Sequence, residues 1–294
     1  MTHPTHLSPS ELGTKEYWES FYERSLSHLK CEHEDEHGDS DSDSDDSFDD
    51  DLGTSWFSEH RAPEKVMGYL TSTGFPLSSN STATVLDLGT GNGSMLALLR
   101  KHFSGTMVGV DYSAQSVMLA RQLHADKNIR FEEFDLLSSS PSSSSSSSSE
   151  HPPWFVEGGF DIVLDKGTFD AISLCEEVRA GKRVCELYPL LTSGLVRRGG
   201  FLVVTSCNWT EEELIKWFTG VNTDADAGET PLFSVFGRVA YPRFRFGGQE
   251  GQAQTSACAL VPLLDSSIVP DKPTMADGKT LVNYYPDDEC VFFF

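Results

Sequence analysis

The chain is poor in what a nucleic-acid or membrane protein needs. It has 22 Lys and Arg against 45 Asp and Glu, a formal net charge of −23. No Lys or Arg stands between Lys30 and Arg61. Phosphate backbones are held by clustered Lys and Arg, so this balance argues against nucleic acid as the main partner. The natural electrostatic match is a basic protein surface. No apolar run approaches the roughly 18 residues of a membrane helix, so no membrane association is expected. The opening MTHPTHLSPSELGTKEYW lacks the basic and apolar regions of a secretory signal. The expected compartment is the cytoplasm; a nuclear share is left open, with no basic cluster behind it. The six cysteines are scattered and form no Cys-x-x-Cys pair. They indicate neither a zinc site nor a disulfide framework, and no metal is expected.

What is present suffices for one sizeable core: 294 residues, 38% hydrophobic. Two stretches cannot join it. Residues 31–52 carry twelve Asp and Glu between Glu32 and Asp51, with one aromatic, Phe48. Residues 138–150 are almost all serine. Neither can bury enough apolar surface to offset the entropy of ordering, so both are expected to be disordered inserts. The serines among acids in the first also suit acidophilic kinases. The division that follows is a helical leader at 1–30, the acidic insert at 31–52 and a main domain at 53–294 interrupted by the serine tract.

The main domain alternates strand and helix. ATVLDLG, TMVGVDYS, IRFEEFDLL and FDIVLDKG read as strands, with helices after the first two. A helix over Ile172–Glu177 or beyond is expected after the fourth, with Cys175 packed inside it. GLVRRGGFLVVTSCN reads as a helix end, a Gly-Gly turn and a strand. Thr210 with Glu213 has capping-box spacing. FSVFGRVAYPRFRF and GQAQTSACALVPL flank GGQE, a hairpin signal. In the leader, Tyr17, Phe21 and Leu26 fall roughly on one face of a helix. This pattern predicts an α/β fold: a mostly parallel sheet with helices on both faces and a C-terminal hairpin adding an antiparallel edge.

The sharpest signal is VLDLGTGNGSML, residues 85–96. Asp87, Gly89, Gly91 and Gly93 alternate with other residues directly after a buried strand. A loop there lies where open α/β sheets bind ligands, and glycines let the backbone approach one. The helix opening near Ser94 would aim its first amides at the same place. An acid about twenty residues on is placed to bind ribose hydroxyls, and Asp111 stands 22 residues after Gly89. The spacing is not the GxGxxG of dinucleotide folds.

That motif resembles the first motif of the seven-strand S-adenosylmethionine-dependent methyltransferases. The resemblance implies a Rossmann-like sheet with S-adenosyl-L-methionine as cofactor. It implies that Gly89, Gly91 and Gly93 hold the methionine part and that Asp87 faces its ammonium. It also implies that Asp111, with Tyr112 beside it, binds the ribose and that Asp135 lies near the adenine. A narrower likeness covers nearly the whole chain outside the inserts. ELGTKEYWESFYERSL, LDLGTGNGSML, GVDYSAQSVMLAR, LDKGTFDAISL, TSCNWTEEEL and YPRFRFGGQEG resemble the elongation factor 1-alpha lysine methyltransferase 2 family. Departures are the inserts, SWFSEH at 55–60 and the tail beyond about Pro262.

This likeness implies transfer of methyl groups to a lysine of translation elongation factor 1-alpha by a monomer. Free lysine has a pKa near 10.4, and burial in a low-dielectric channel lowers it. Placing the neutral nitrogen behind the methyl is then the main task, with no obligatory base. Asp165 is expected to orient that nitrogen, or else to cap the helix after it. Asn208 and Trp209 are expected to line the channel, or else to cap and pack. Tyr17 and Trp18 are expected to close over the cofactor. Lys166 is read as structural or solvent-facing. Other acceptors, either another protein or a small amine, stay open, as does a catalytically inactive binding protein of the same fold.

Overall fold

Buried strands and amphipathic helices alternate along the chain. A computed structural model describes residues 3–35, 61–138, 151–220, 231–241, 244–246, 249–251 and 255–263. The serine tract beyond Ser138, Ser55–His60 and the tail beyond residue 263 lie outside the described residues, as does most of the acidic insert. After a single 3-10 turn (Glu11–Gly13), helix α1 covers Lys15–Asp35, past the boundary expected at residue 30. Helix α2 covers Ala62–Thr71. Then come β1 (Val85–Leu88), α3 (Ser94–Leu99), β2 (Met107–Asp111), α4 (Ala114–Leu123) and β3 (Arg130–Glu133). Next are β4 (Phe160–Lys166), α5 (Thr168–Ser173), a small hairpin of β5 (Val178–Arg179) and β6 (Lys182–Arg183), and α6 (Val184–Ser193). The chain continues through β7 (Val196–Ser206), α7 (Glu211–Thr219), β8 (Phe233–Val239), β9 (Phe244–Phe246), β10 (Gln249–Gly251) and β11 (Ser256–Pro262).

The main sheet has the order β3-β2-β1-β4-β7-β11-β8. The pairings from β3 to β7 are parallel, and β11 runs antiparallel to both neighbours. The expected Rossmann-like α/β sheet with a C-terminal hairpin is therefore present. One detail differs: the antiparallel strand is inserted, and the edge belongs to β8. Burial explains the placement. β11 is buried at all positions but its first, whereas β8 is buried only at its two ends. A strand apolar on both faces belongs inside a sheet.

Period-two side-chain alternation splits the core into two layers. Val85, Ile162, Leu164 and Val203 join α2, α3 and α4 on one face. Leu86, Leu88, Val163 and Leu202 join α5, α6 and α7 on the other. Helix α1 packs on α4 outside these layers, through Tyr22, Leu26 and Leu119.

Two further expectations need correction. Helix α5 starts earlier than Ile172, because the Asp165 carboxylate accepts from the Thr168 and Phe169 amides (2.9 and 3.0 Å) and opens the helix there. Cys175 consequently lies after the helix. The Gly199-Gly200 pair is not a turn; it sits inside β7, where the register against β4 shifts. A Cβ on Gly200 would fall 2.8 Å from the carbonyl oxygens of Phe160 and Asp161, so only glycine allows that approach. The Thr210–Glu213 capping box forms as expected at the start of α7.

Candidate active site

Strand order reverses about β1: the chain moves outward to β2 and β3, then returns to β4 on the other side. The loops leaving the C-terminal ends of these strands diverge there and enclose a cavity of about 300 Å³. Its wall draws on the loop after β1, the ends of β2 and β3, the start of α5 and the leader. That volume is at the lower end of small-molecule sites.

The glycine loop is shaped by contacts on both sides. Gly89 and Gly91 line the cavity with φ of +57° each, a left-handed backbone that side chains disfavour. A Cβ on Gly89 would fall 2.2 Å from Thr168 Oγ1, and one on Gly91 would fall 2.7 Å from Tyr22 Oη. Gly93 faces the other way. A Cβ there would meet the Phe131 ring at 2.6 Å, so this glycine serves packing behind the loop. The first amide of α3, that of Ser94, is taken by Asn92 Oδ1 at 3.1 Å.

The acids do different work from one another. Asp111 lines the cavity, and its Oδ2 accepts from the Gly91 amide (3.0 Å) while Oδ1 accepts from the Ser113 amide (3.0 Å). It therefore anchors the glycine loop to β2. Burial raises its pKa, and those amides oppose the rise. Asp135 also lines the cavity and accepts from the Leu137 amide at 2.9 Å. Tyr112 lies between them in the wall; its hydroxyl donates to the Thr14 carbonyl at 3.2 Å, tying the leader to β2. Asp87 is buried behind the loop, accepts from Thr90 Oγ1 at 2.8 Å and is not among the lining residues. Burial pushes its pKa up to about 6.

Asp165 does not match a role in orienting substrate. It is 1% exposed and outside the cavity wall. Its oxygens are engaged by the α5 amides and by the Tyr188 hydroxyl, which donates at 2.6 Å. The capping alternative fits these contacts. Its surroundings solvate charge poorly, and burial pushes its pKa up to about 7. Lys166, next along β4, is not solvent-facing but half-buried in the cavity wall. Burial lowers its pKa, and Asp87 and Asp165 pull it back up.

The acid on the wall at this end is Asp170, which the sequence reading passed over. Ser206 Oγ donates to its Oδ1, and the Cys207 amide donates to its Oδ2 at 2.8 Å. Ser206 Oγ in turn accepts from the amides of Asn208 and Trp209 at 3.2 and 3.0 Å. This chain of bonds sets the turn that presents Asn208 at the cavity, exposed. Trp209 points inward instead; it is 3% exposed, and its Nε1 donates to Ser173 Oγ at 3.1 Å.

The leader supplies the remaining wall. Trp18 lines the cavity, and its Nε1 donates to the Leu12 carbonyl at 2.8 Å. Tyr17 does not line it; its ring sits edge-on to Trp18 at 5.1 Å. Tyr22, one helical turn beyond Trp18, takes the place expected of Tyr17. The i, i+4 spacing of Trp18 and Tyr22 was a readable signal of that shared face. Gly13 lets the leader pass as a strap close above the turn after α5: a Cβ there would fall 2.3 Å from the Leu174 carbonyl carbon.

Comparison with known proteins places this geometry. A family model described as a methyltransferase domain matches residues 79–239. Protein-lysine N-methyltransferase EFM4 of Saccharomyces cerevisiae is 33% identical over 251 residues, 83% of this chain and 92% of the relative. The chain belongs to the EFM4 and EEF1A lysine methyltransferase 2 family. EEF1A lysine methyltransferase 2 of Danio rerio is 32% identical over 253 residues, 85% of this chain and 88% of the relative. The protein of the same name from Homo sapiens is 32% identical over 256 residues, covering 86% of each chain. A member of this family is a methyltransferase whose cofactor is S-adenosyl-L-methionine. The cavity fits such a ligand: side-chain-free backbone at Gly89 and Gly91 on one side, carboxylates at Asp111 and Asp135 along the edge, and aromatic cover from Trp18 and Tyr22.

Proposed function

We propose that this chain methylates the side-chain nitrogen of a lysine in translation elongation factor 1-alpha. The observation that carries the reading is the match to family members along nearly their full length, 92% of the Saccharomyces cerevisiae relative and 88% of that from Danio rerio. The Saccharomyces cerevisiae relative is named a protein-lysine N-methyltransferase, and those of Danio rerio and Homo sapiens are named EEF1A lysine methyltransferases. The net charge of −23 supports a basic protein partner over a nucleic acid.

Within this reading, Gly89 and Gly91 take the methionine end of the cofactor against bare main chain. Asp111 takes the ribose, and Asp135 lies toward the base. Asp87 acts on the cofactor's ammonium only indirectly, through Thr90 and the loop it holds. When bound, the cofactor supplies an electrophilic sulfonium methyl. The chain's own residues do the rest by position and exclusion of water. Trp18 and Tyr22 keep the cofactor side dry. Asn208 meets the incoming lysine at the rim, held there by Asp170 through Ser206 and Cys207. A lysine entering so apolar a channel loses solvation, which favours its neutral and nucleophilic form. Lys166 adds positive charge to the wall and disfavours a protonated amine arriving beside it. We assign the chain to the cytoplasm as a monomer.

The test is transfer of a labelled methyl group into fractionated cell extract and into purified elongation factor 1-alpha. Label on a lysine of that factor, lost in Asp111→Ala, supports the proposal. Label confined to small molecules or to other proteins refutes it.

A further inference from the structure

A second cluster lies at the start of the leader, away from the methyl-transfer cavity. His3, His6 and Glu186 each offer one ligand atom, and these atoms lie within 4.8 Å of one another. His3 Nε2 is 3.7 Å from Glu186 Oε2, and His6 Nε2 is 3.3 Å from Glu186 Oε1. Tetrahedral bonds of about 2.1 Å would set ligand atoms about 3.4 Å apart. His3 Nδ1 lies 2.8 Å from the Pro4 carbonyl oxygen. With the proton on Nδ1, that bond turns the Nε2 lone pair toward Glu186; metal-bound histidines are commonly held this way. His6 Nε2 is a buried nitrogen without a hydrogen bond of ordinary geometry. The rings are fixed as well. His3 stacks on Trp217 at 4.9 Å and 12°, and the two histidine rings lie 4.7 Å apart.

We propose that His3, His6 and Glu186 form a binding site for zinc or a similar divalent transition ion that fastens the leader to α6. Two imidazoles and one carboxylate suit such an ion and not magnesium, which demands oxygen ligands. The rest of the strap is already pinned to the same part of the fold. Arg183 Nη1 donates to the Leu7 carbonyl at 2.7 Å, and the Ser10 amide donates to the Leu174 carbonyl at 3.2 Å. The strap then runs on to Leu12 and Gly13 in the cavity wall. An ion at its far end therefore restrains the segment that walls the cofactor cavity.

The test uses the full chain, stripped of metal and titrated with zinc chloride against a chromogenic chelator. The variants are His3→Ala, His6→Ala and Glu186→Gln. Glutamine keeps the acceptor for the Arg183 amide, which Glu186 Oε1 now serves at 2.9 Å, so α6 stays capped. The expected result is about one zinc per chain, bound at least tenfold more weakly in each variant, with magnesium failing to compete. Amide hydrogen exchange at residues 7–13 should slow with zinc in the wild type and not in His6→Ala. Two results overturn the proposal. One is wild-type protein that takes up no zinc at about 100 μM. The other is His3→Ala and His6→Ala chains that bind as tightly as wild type, which would assign the ion to thiols such as Cys175 and Cys207. Should Glu186→Gln fail to fold, the two histidine variants decide the matter.

Discussion

Replacing Gly89 by alanine tests whether bare backbone shapes the cofactor site. Two costs can be worked out. The residue must hold φ +57°, which costs an L-residue about 1–2 kcal/mol. Its Cβ would stand 2.2 Å from Thr168 Oγ1, so that hydroxyl must leave. Thr168 Oγ1 now donates to the Leu88 carbonyl at 2.6 Å, and stranding that acceptor costs about 1–3 kcal/mol. Gly89→Ala should therefore destabilise the chain by about 2–5 kcal/mol. Thr168→Ala alone strands the same acceptor without the clash, at about 1–3 kcal/mol. In the double variant the hydroxyl is gone and the next atom, Thr168 Cβ, stands 3.2 Å away, a contact a small shift relieves. The double variant should then cost about 1–3 kcal/mol less than the two single changes added together, because both single changes strand the same acceptor. Urea unfolding of the four proteins measures the stabilities, and calorimetric titration with S-adenosylmethionine should show at least tenfold weaker binding to Gly89→Ala. Additivity within about 0.5 kcal/mol would refute the steric reasoning. So would unchanged cofactor affinity in the single glycine variant.

Asp111→Ala removes the acceptor for the Gly91 and Ser113 amides as well as the carboxylate proposed to take the ribose. Cofactor affinity should fall by one to two orders of magnitude, about 1.4–2.8 kcal/mol by the tenfold rule, and wild-type titration curves would contradict the assignment. Tyr22→Ala should weaken cofactor binding severalfold whereas Tyr17→Ala changes it by less than about twofold; the reverse ranking in the same titration would displace Tyr22 from the site. Asp165 sits near pKa 7 in the fold, above its ordinary value, so the folded state binds its proton more tightly than the unfolded chain does. Its contribution to stability is full below about pH 4 and is lost as pH rises toward 7, at no more than about 1.4 kcal/mol per pH unit. Asp165→Asn should flatten unfolding free energy against pH across that window, and an unaltered slope in urea melts would show that another group sets it. Gly68, inside α2 with no atom within 4 Å of an added Cβ, should gain about 0.5–1 kcal/mol on change to alanine; a lowered melting temperature would show that its helix is constrained in some other way.

Much of this protein was legible in the chain before any fold was seen. VLDLG is apolar on both faces of a strand, and glycine at alternate positions cannot continue one. That combination fixes a buried strand followed by a ligand loop. Asp111 and Asp135 were legible for the same local reason, since each ends a strand pattern at the expected interval. Thr210 and Glu213 needed only their own spacing to cap a helix. What the chain could not reveal depends on contacts between segments far apart in it. Asp165 stood out in the chain as the acid after β4, and nothing local marked Asp170. Only the approach of Tyr188 and the α5 amides turned the first inward, and only Ser206 and Cys207 held the second at the wall. Three glycines looked alike, yet Gly93 faces Phe131 while Gly89 and Gly91 face the cavity, because β3 and α1 close on opposite sides of the loop. The insertion of β11 between β7 and β8 was decided by which of the two hairpin strands could be buried on both faces. Local patterns set which elements form and where backbone must stay bare; the packing of distant elements set which side chains face the cavity.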